Sequence, residues 1–316
     1  VSVFLVRRLV TMLVTLLFAS LVVFVVLEIL PGDPALLILG IDAQPEQLAT
    51  LREQMGLNRP AMVRYLDWIG RQATGDFGTS YTYKVPVWTL ITERLGLTVP
   101  LALMAFALTA LFGTVMGVFA AARHNRFGDV AVMGISQLGI SVPSFWFGLL
   151  LILFFAVKLG WFSAGGFAGW EDGVWPGVKS LLLPAVALAT VQSAILARIA
   201  RSSVLDVLQE DFIRTARAKG LSRRGTLWRH ALRNAMIPVI TIMGLQFGEL
   251  LVGAIVVEQV FTLPGLGRLI FQSIANRDVE VVKGVVVLLV FMVVAVNFAV
   301  DLLYAAIDPR LSPSDV

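Results

Sequence analysis

The chain has 316 residues, 58% of them hydrophobic and only 15% charged, with a formal net charge of +4 and a mean hydropathy of +0.85. A soluble domain carries about 25% charged residues, so the polar groups here cannot cover the apolar surface and lipid must solvate much of the chain. With no cysteine and only two histidines, His124 and His230, disulfides and thiolate chemistry are excluded, and little remains for a metal site or a catalytic triad.

The first apolar run, Leu9 to Leu30, follows Arg7 and Arg8. It is longer than the roughly 7–15 residues of a signal h-region, and Pro31-Gly32-Asp33-Pro34 follows it instead of a small-x-small cleavage site. A retained membrane helix is expected over 9–30. Five more runs can cross about 30 Å of hydrocarbon at about 1.5 Å per residue: 98–122, 130–158, 180–201, 235–259 and 284–306. The expectation is an all-α polytopic membrane protein with six transmembrane helices. Residues 1–30 form its first part, 31–97 a long outer connection, and 98–316 a five-helix core that includes a polar loop at 202–234.

The outer connection carries helix signals. Asp33-Pro34 suits an N-cap followed by Pro at the first helical position. Gln44-Pro45-Glu46 opens a second helix that Gly56 closes. Pro60 to Ala73 forms a third, with Met62, Tyr65, Leu66 and Ile69 on one face. The tail GDFGTSYTYKVPVW is expected to be irregular or extended.

Arg and Lys in short loops set orientation. Arg7 and Arg8, then Arg123 and Arg126, then the loop flanked by Arg198 and Arg201, mark one side as cytoplasmic, together with both termini. The connection at 160–177 has no Arg or Lys but holds Glu171, Asp172, Trp161, Trp170 and Trp175, an outer aromatic belt. Pro143, in SVPSFWFG, should kink the third span. Gly113/Gly117 and Gly244/Gly248 permit close helix approach, within the chain or to a second subunit.

Polar residues inside spans are costly and mark solute paths or buried hydrogen-bonded pairs. Gln246 and Glu249 share a face of the fifth span; they line a path or fix helix packing. Asn297 and Asp301 share a face of the last. Gln137, Ser141, Gln192 and Ser193 are further candidates. GVWPGVKS at 173–180 lacks the Gly directly before Lys that a phosphate loop needs. No catalytic motif is visible, so the chain is expected not to be an enzyme and to bind no cofactor or metal itself.

The densest positive charge lies in RTARAKGLSRRGTLWRHALRNAMIP, residues 214–238, with seven Arg and Lys and no acid. Leu205, Leu208, Phe212 and Ala216 give one helix an apolar face. Gly220 suits a left-handed close and Ser222 an N-cap. Leu227, Trp228, Ala231 and Leu232 stripe a second helix. Topology alone needs only a few cations, whereas a structured hairpin with an apolar stripe suits a docking element.

Arg214-Thr215-Ala216, three residues and Gly220 stand in the register of the EAA-x3-G loop, matching at the final Ala and the Gly. Together with PGDP, MGLNRP, GDFGTSY, SVPSFWFG, GAIVVEQVFTLPGLG, NRD and IDPR, the chain resembles permeases of type I ABC importers in the dipeptide, oligopeptide and nickel branch. It is similar to the first of their two permease subunits. The resemblance implies a MetI-like permease fold and a second permease partner. It also implies two ABC ATPases that carry ATP and Mg, an extracytoplasmic binding protein or lipoprotein, peptide cargo and the cytoplasmic membrane. Nickel chelates and glutathione are alternative cargoes. In that reading Phe212, Ala216, Gly220, Leu221 and Trp228 are contact or turn residues of the coupling hairpin. Arg217, Lys219, Arg223 and Arg224 form its electrostatic rim. A different class, a self-sufficient proton-coupled carrier using Glu249 and Asp301, stands as the alternative.

Overall fold

The computed structural model describes residues 2–29, 34–40, 43–171 and 173–307. Among these the regular secondary structure is helical apart from one isolated bridge, Thr79 to Pro86. The helices are α1 (Ser2–Ile29), α2 (Pro34–Leu39), α3 (Pro45–Gln54), α4 (Ala61–Ala73), α5 (Val87–Ala122), α6 (Phe127–Ser141), α7 (Ser144–Leu151), α8 (Val174–Leu208), α9 (Asp211–Ala218), α10 (Arg223–Thr226), α11 (Leu232–Val260), α12 (Leu266–Ala275) and α13 (Val279–Ile307). Pro31, Gly32, Asp33, Asp172 and the end of the IDPR segment lie outside the described residues, as does the side chain of Asp301.

Among the described residues, five helical stretches are long and apolar enough to cross a membrane, in α1, α5, α8, α10–α11 and α13. The third expected span differs. Its two halves, Phe127–Ser141 and Ser144–Lys158, meet at 101°, a break rather than the expected kink. Val142 is extended (φ −97°, ψ 121°) and Pro143 caps α7. The residue before a proline is driven from the helical region, and here it ends one helix outright. Beyond α7 the chain continues as a π-helical stretch to Lys158.

The long helices overshoot the expected spans. α5 has 36 residues and α8 has 35, about 54 and 52 Å at the helical rise, so each extends well past the hydrocarbon. The irregular tail expected up to Trp88 therefore ends at Pro86.

Two compact units are distinguished. The first takes the described parts of 1–96 and 265–298, the second those of 97–264 and 299–308. In the first, Phe24 of α1 packs with Tyr65 and Trp68 of α4, and the Tyr65 hydroxyl lies 2.9 Å from Ser20 Oγ. The face expected to carry Met62, Tyr65, Leu66 and Ile69 is split: Tyr65 is buried and Ile69 packs beside it, while Met62 is 65% and Leu66 58% exposed. Fully buried Asp278 accepts from Ser80 Oγ at 2.5 Å and from Thr82 N at 3.0 Å. The NRD and GDFGTSY segments are thereby pinned together.

The second unit is built on α8 and α11, with α6 and α7 against α8. Leu101, Leu181, Leu188, Leu250, Ala254 and Phe261 are among its buried core. A Cβ on Gly113 would sit 2.7 Å from Leu196, and one on Gly117 2.5 Å from the Ala197 carbonyl. Both glycines thus serve close packing of α5 on α8 within the chain.

Candidate functional site

Two constellations in the second unit carry most of the residues singled out from sequence. The first is the polar hairpin. Its first arm is shorter than expected: α8 ends at Leu208 and α9 restarts at Asp211 after extended Glu210. Leu205 and Leu208 therefore do not share a helix with Phe212 and Ala216. α9 buries Ile213 and Ala216 and leaves Phe212 44% exposed.

The turn follows from local chemistry. Gly220 has φ +90°, and the Gly220 N–H donates to Arg217 O at 3.0 Å while Leu221 N–H donates to Ala216 O at 3.3 Å. This pair of bonds is a Schellman close, which needs the left-handed residue. Ser222 Oγ then accepts from Gly225 N at 3.1 Å, capping α10. The second arm is not a separate helix. α10, a π-helical turn at Leu227–Ala231 and α11 run on as one stretch, Arg223–Val260. A π turn inserts an extra residue per turn. Leu227 and Ala231 face inward while Trp228, expected on the same stripe, is 62% exposed.

Inside the hairpin, Ile213, Leu227, Ala231 and Ala235 close on Val118, Ala121 and Val204. The apolar face is thus satisfied within the chain. What projects outward is a pair of aromatics, Phe212 and Trp228, among exposed Arg217, Lys219, Arg223 and Arg224. Leu221 is half-buried at the turn.

The second constellation surrounds Glu249. Gln192 Nε2 donates to Glu249 Oε2 at 2.8 Å, and Gln246 Nε2 donates to the Gln192 carbonyl at 3.0 Å. Gln246 is 4% exposed and locks α11 to α8, whereas Glu249 is exposed. A cavity of about 310 Å³ opens beside Glu249 and Gln192, walled by the Val142-Pro143-Ser144 break and by Leu188 and Gly253. Gln137 and Ser141 are exposed on α6, where Ser141 Oγ donates to the Gln137 carbonyl at 2.8 Å; neither lines this cavity. Asn297 lies in the first unit, half-buried.

Sequence reasoning missed a third cluster. Arg201 of α8 grips Asp129 of α6 with two bonds, Nε to Oδ1 at 2.5 Å and Nη2 to Oδ2 at 2.7 Å. Asn125 N, at φ +60°, donates to the same carboxylate at 3.0 Å, and His124 Nδ1 lies 3.2 Å from Arg201 Nη2. Asp129 is 3% exposed. Arg201 had been counted only as loop charge, and nothing local marks a partner 72 positions away. Glu258, within GAIVVEQV, is likewise fully buried and accepts from Thr98 Oγ1 at 2.6 Å.

Long apolar helices, a largely apolar cavity that holds Glu249 and Gln192 at a broken span, and a charged hairpin fit a multi-span membrane permease. A family described as "Binding-protein-dependent transport system inner membrane component" matches residues 113–313, and its N-terminal counterpart matches residues 1–102. The chain belongs to this family, and is a non-catalytic permease subunit of an ABC importer. It is 43% identical over 305 residues to a Brucella suis protein named as a candidate peptide transport system permease, covering 96% of this chain and 97% of that one. It is 42% identical over 305 residues, with the same coverage, to the glutathione transport system permease protein GsiC of Salmonella choleraesuis. Its fold is similar to a chain of the MetNI methionine ABC transporter, with TM-score 0.59 and 19% identity over 69% of this chain and 96% of that one. Membership in a binding-protein-dependent system sets aside the self-sufficient proton-coupled carrier.

Proposed function

We propose that this chain is the first of two permease subunits of an ATP-driven importer of short peptides in the cytoplasmic membrane. The solute path lies between it and the second permease. Two ATPases seat the hairpins, and a binding protein or lipoprotein delivers cargo on the side of residues 31–97 and the Trp-rich connection. The termini and the 202–234 hairpin are cytoplasmic.

The observation that carries the coupling role is the outward pair Phe212 and Trp228, on a hairpin whose inner face is already filled. Two aromatics left bare amid cations suit a groove lined by apolar and acidic groups. The peptide class is supported by near-full-length similarity to permeases named for peptide and for glutathione transport. Glutathione is itself a tripeptide, so both names point to short peptides. Glu249, facing the cavity, suits a peptide ammonium. Gln246 supports it through Gln192, and Gln137 and Ser141 extend the proposed path within the same unit.

The test is uptake of labelled dipeptides and tripeptides into proteoliposomes holding both permeases, the ATPases and the binding protein, with glutathione as competitor. Uptake is expected to require ATP, and Glu249→Gln should raise the peptide concentration needed for uptake without abolishing it. Transport by this chain alone on a proton gradient would sink the proposal.

A further inference from the structure

Beside the Glu249 cavity lies a second one of about 520 Å³, between α6 and α8, and Ile140 walls both. α8 gives the pair a common side. Leu188 and Gln192 wall the first cavity, and Ile195, Arg198 and Ser202 wall the second. These positions recur at three and four, so they form one stripe along the helix. The two cavities thus make a trough that runs from Glu249 toward the hairpin end of α8.

Two cations wall the second cavity, Arg198 and Arg201, and only one is engaged. Arg201 is held by Asp129 through two bonds. Arg198 makes no ion pair or side-chain hydrogen bond among the described residues. α8 offers it no carboxylate, because the positions three and four away are Ala194, Ile195, Arg201 and Ser202. The orientation rule asks for cations near this end of the span but is indifferent to the face that bears them. Here the free one stands on the stripe of Gln192, whose amide is bonded to Glu249. Charged groups in spans face protein or a water-filled path, and this one faces the trough.

Spacing and charge describe the ligand. Gln192 holds the Glu249 carboxylate, and Arg198 follows six residues later, about 9 Å along the helix axis. Three extended peptide residues reach about 10 Å from end to end. A carboxylate suits an ammonium, and a planar guanidinium with its fork of donors suits a carboxylate. We propose that Arg198 binds the C-terminal carboxylate of a short peptide whose ammonium lies at Glu249. This rests on the peptide reading above and deepens it, because the trough then selects for a free C-terminus.

Ser202, exposed one turn beyond Arg198, offers a reporter position in a chain without cysteine. The assembled complex of permeases and ATPases carries Ser202→Cys, and maleimide labelling of this chain is followed with trialanine or its C-terminal amide present. Leaving out the binding protein keeps that protein's selectivity from the readout. Trialanine should slow labelling, and the amide should need a concentration on the order of tenfold higher, the low end for hydrogen bonds to a charged group. Adding Arg198→Gln should raise the trialanine requirement to that of the amide, and Arg198→Lys should restore part of the difference. Arg126→Gln, an exposed cation of the same unit outside the trough, should change neither. Equal protection by acid and amide, or equal loss from Arg198→Gln and Arg126→Gln, overturns the inference. ATP-driven uptake of trialanine by the complete, unsubstituted transporter is measured alongside. Uptake without protection removes Arg198 and keeps the peptide reading, whereas failure to import any short peptide removes both.

Discussion

At Gly220 the backbone alone decides the residue. A Cβ there would meet nothing within 4 Å, yet φ is +90°. Substitution therefore costs conformation, not space, about 1–2 kcal/mol for an ordinary residue and more for a β-branched one. Gly220→Val should uncouple ATP hydrolysis from uptake while membrane insertion survives, and Gly220→Asn should restore much of the coupling, since Asn tolerates the left-handed region. Normal coupling in the valine variant counts heavily against a docking role. The Asp129–Arg201 clamp follows the opposite logic, because its cost is electrostatic. Arg201→Ala takes the cation from a carboxylate that is 3% exposed, and because the Arg201 side chain is itself 25% exposed the loss should fall below the roughly 3–5 kcal/mol of a fully buried pair. Thermal melting of the detergent-solubilised complex should register that loss, and Asp129→Asn/Arg201→Gln should recover part of it. If the single and double variants melt alike, the clamp contributes little. Gly220 and Ser222 were legible in sequence because their bonds span at most five positions. The partners of Glu249, Asp129 and Asp278 were not, since they lie 57, 72 and 198 positions away.

Elements obey hydropathy until packing intervenes. The spans were legible because about twenty apolar residues have one low-energy form in lipid. Their ends were not, because α5 and α8 run on past the apolar zone on tertiary support. The third span shows the limit most clearly. Proline marks a disruption in any apolar helix, but whether it kinks or breaks depends on what α6 and α7 find on α8. The hairpin was readable as helix, turn, helix, while the π turn that sends Trp228 outward and Leu227 inward left no signal in the apolar stripe. Its outward aromatics yield an element-scale prediction. Phe212→Ala with Trp228→Ala removes exposed rings and so should leave the melting temperature nearly unchanged, since surface changes stay within about 0.5 kcal/mol. Affinity for the ATPase should fall strongly in pull-down, by the roughly 2 kcal/mol or more typical of an aromatic anchor. A drop in melting temperature without loss of ATPase binding would assign both rings to folding instead.

For the molecule as a whole, asymmetric charge supports the proposed assignment of each face to its partner. Loops with Arg and Lys resist translocation, and Trp collects at interfaces, which supports placing the 160–177 connection opposite the 202–234 hairpin. The chain has no cysteine, so single cysteines report position against an empty background. Glu171→Cys, in the Trp-rich connection, should react with a membrane-impermeant maleimide in intact cells. Arg224→Cys, exposed in the hairpin, should react only after the membrane is opened. Co-expressing the ATPase should then slow labelling of Arg224→Cys and leave Glu171→Cys unaffected, because a seated hairpin is covered on its outer face alone. Labelling of Arg224→Cys but not of Glu171→Cys from outside would reverse the orientation, and labelling of both would place the two segments on one side. Labelling of Arg224→Cys that the ATPase leaves unchanged would keep the orientation but remove the hairpin from the coupling path. The two halves of the assignment thus fail separately, the topology resting on charge and the coupling on the exposed aromatic pair.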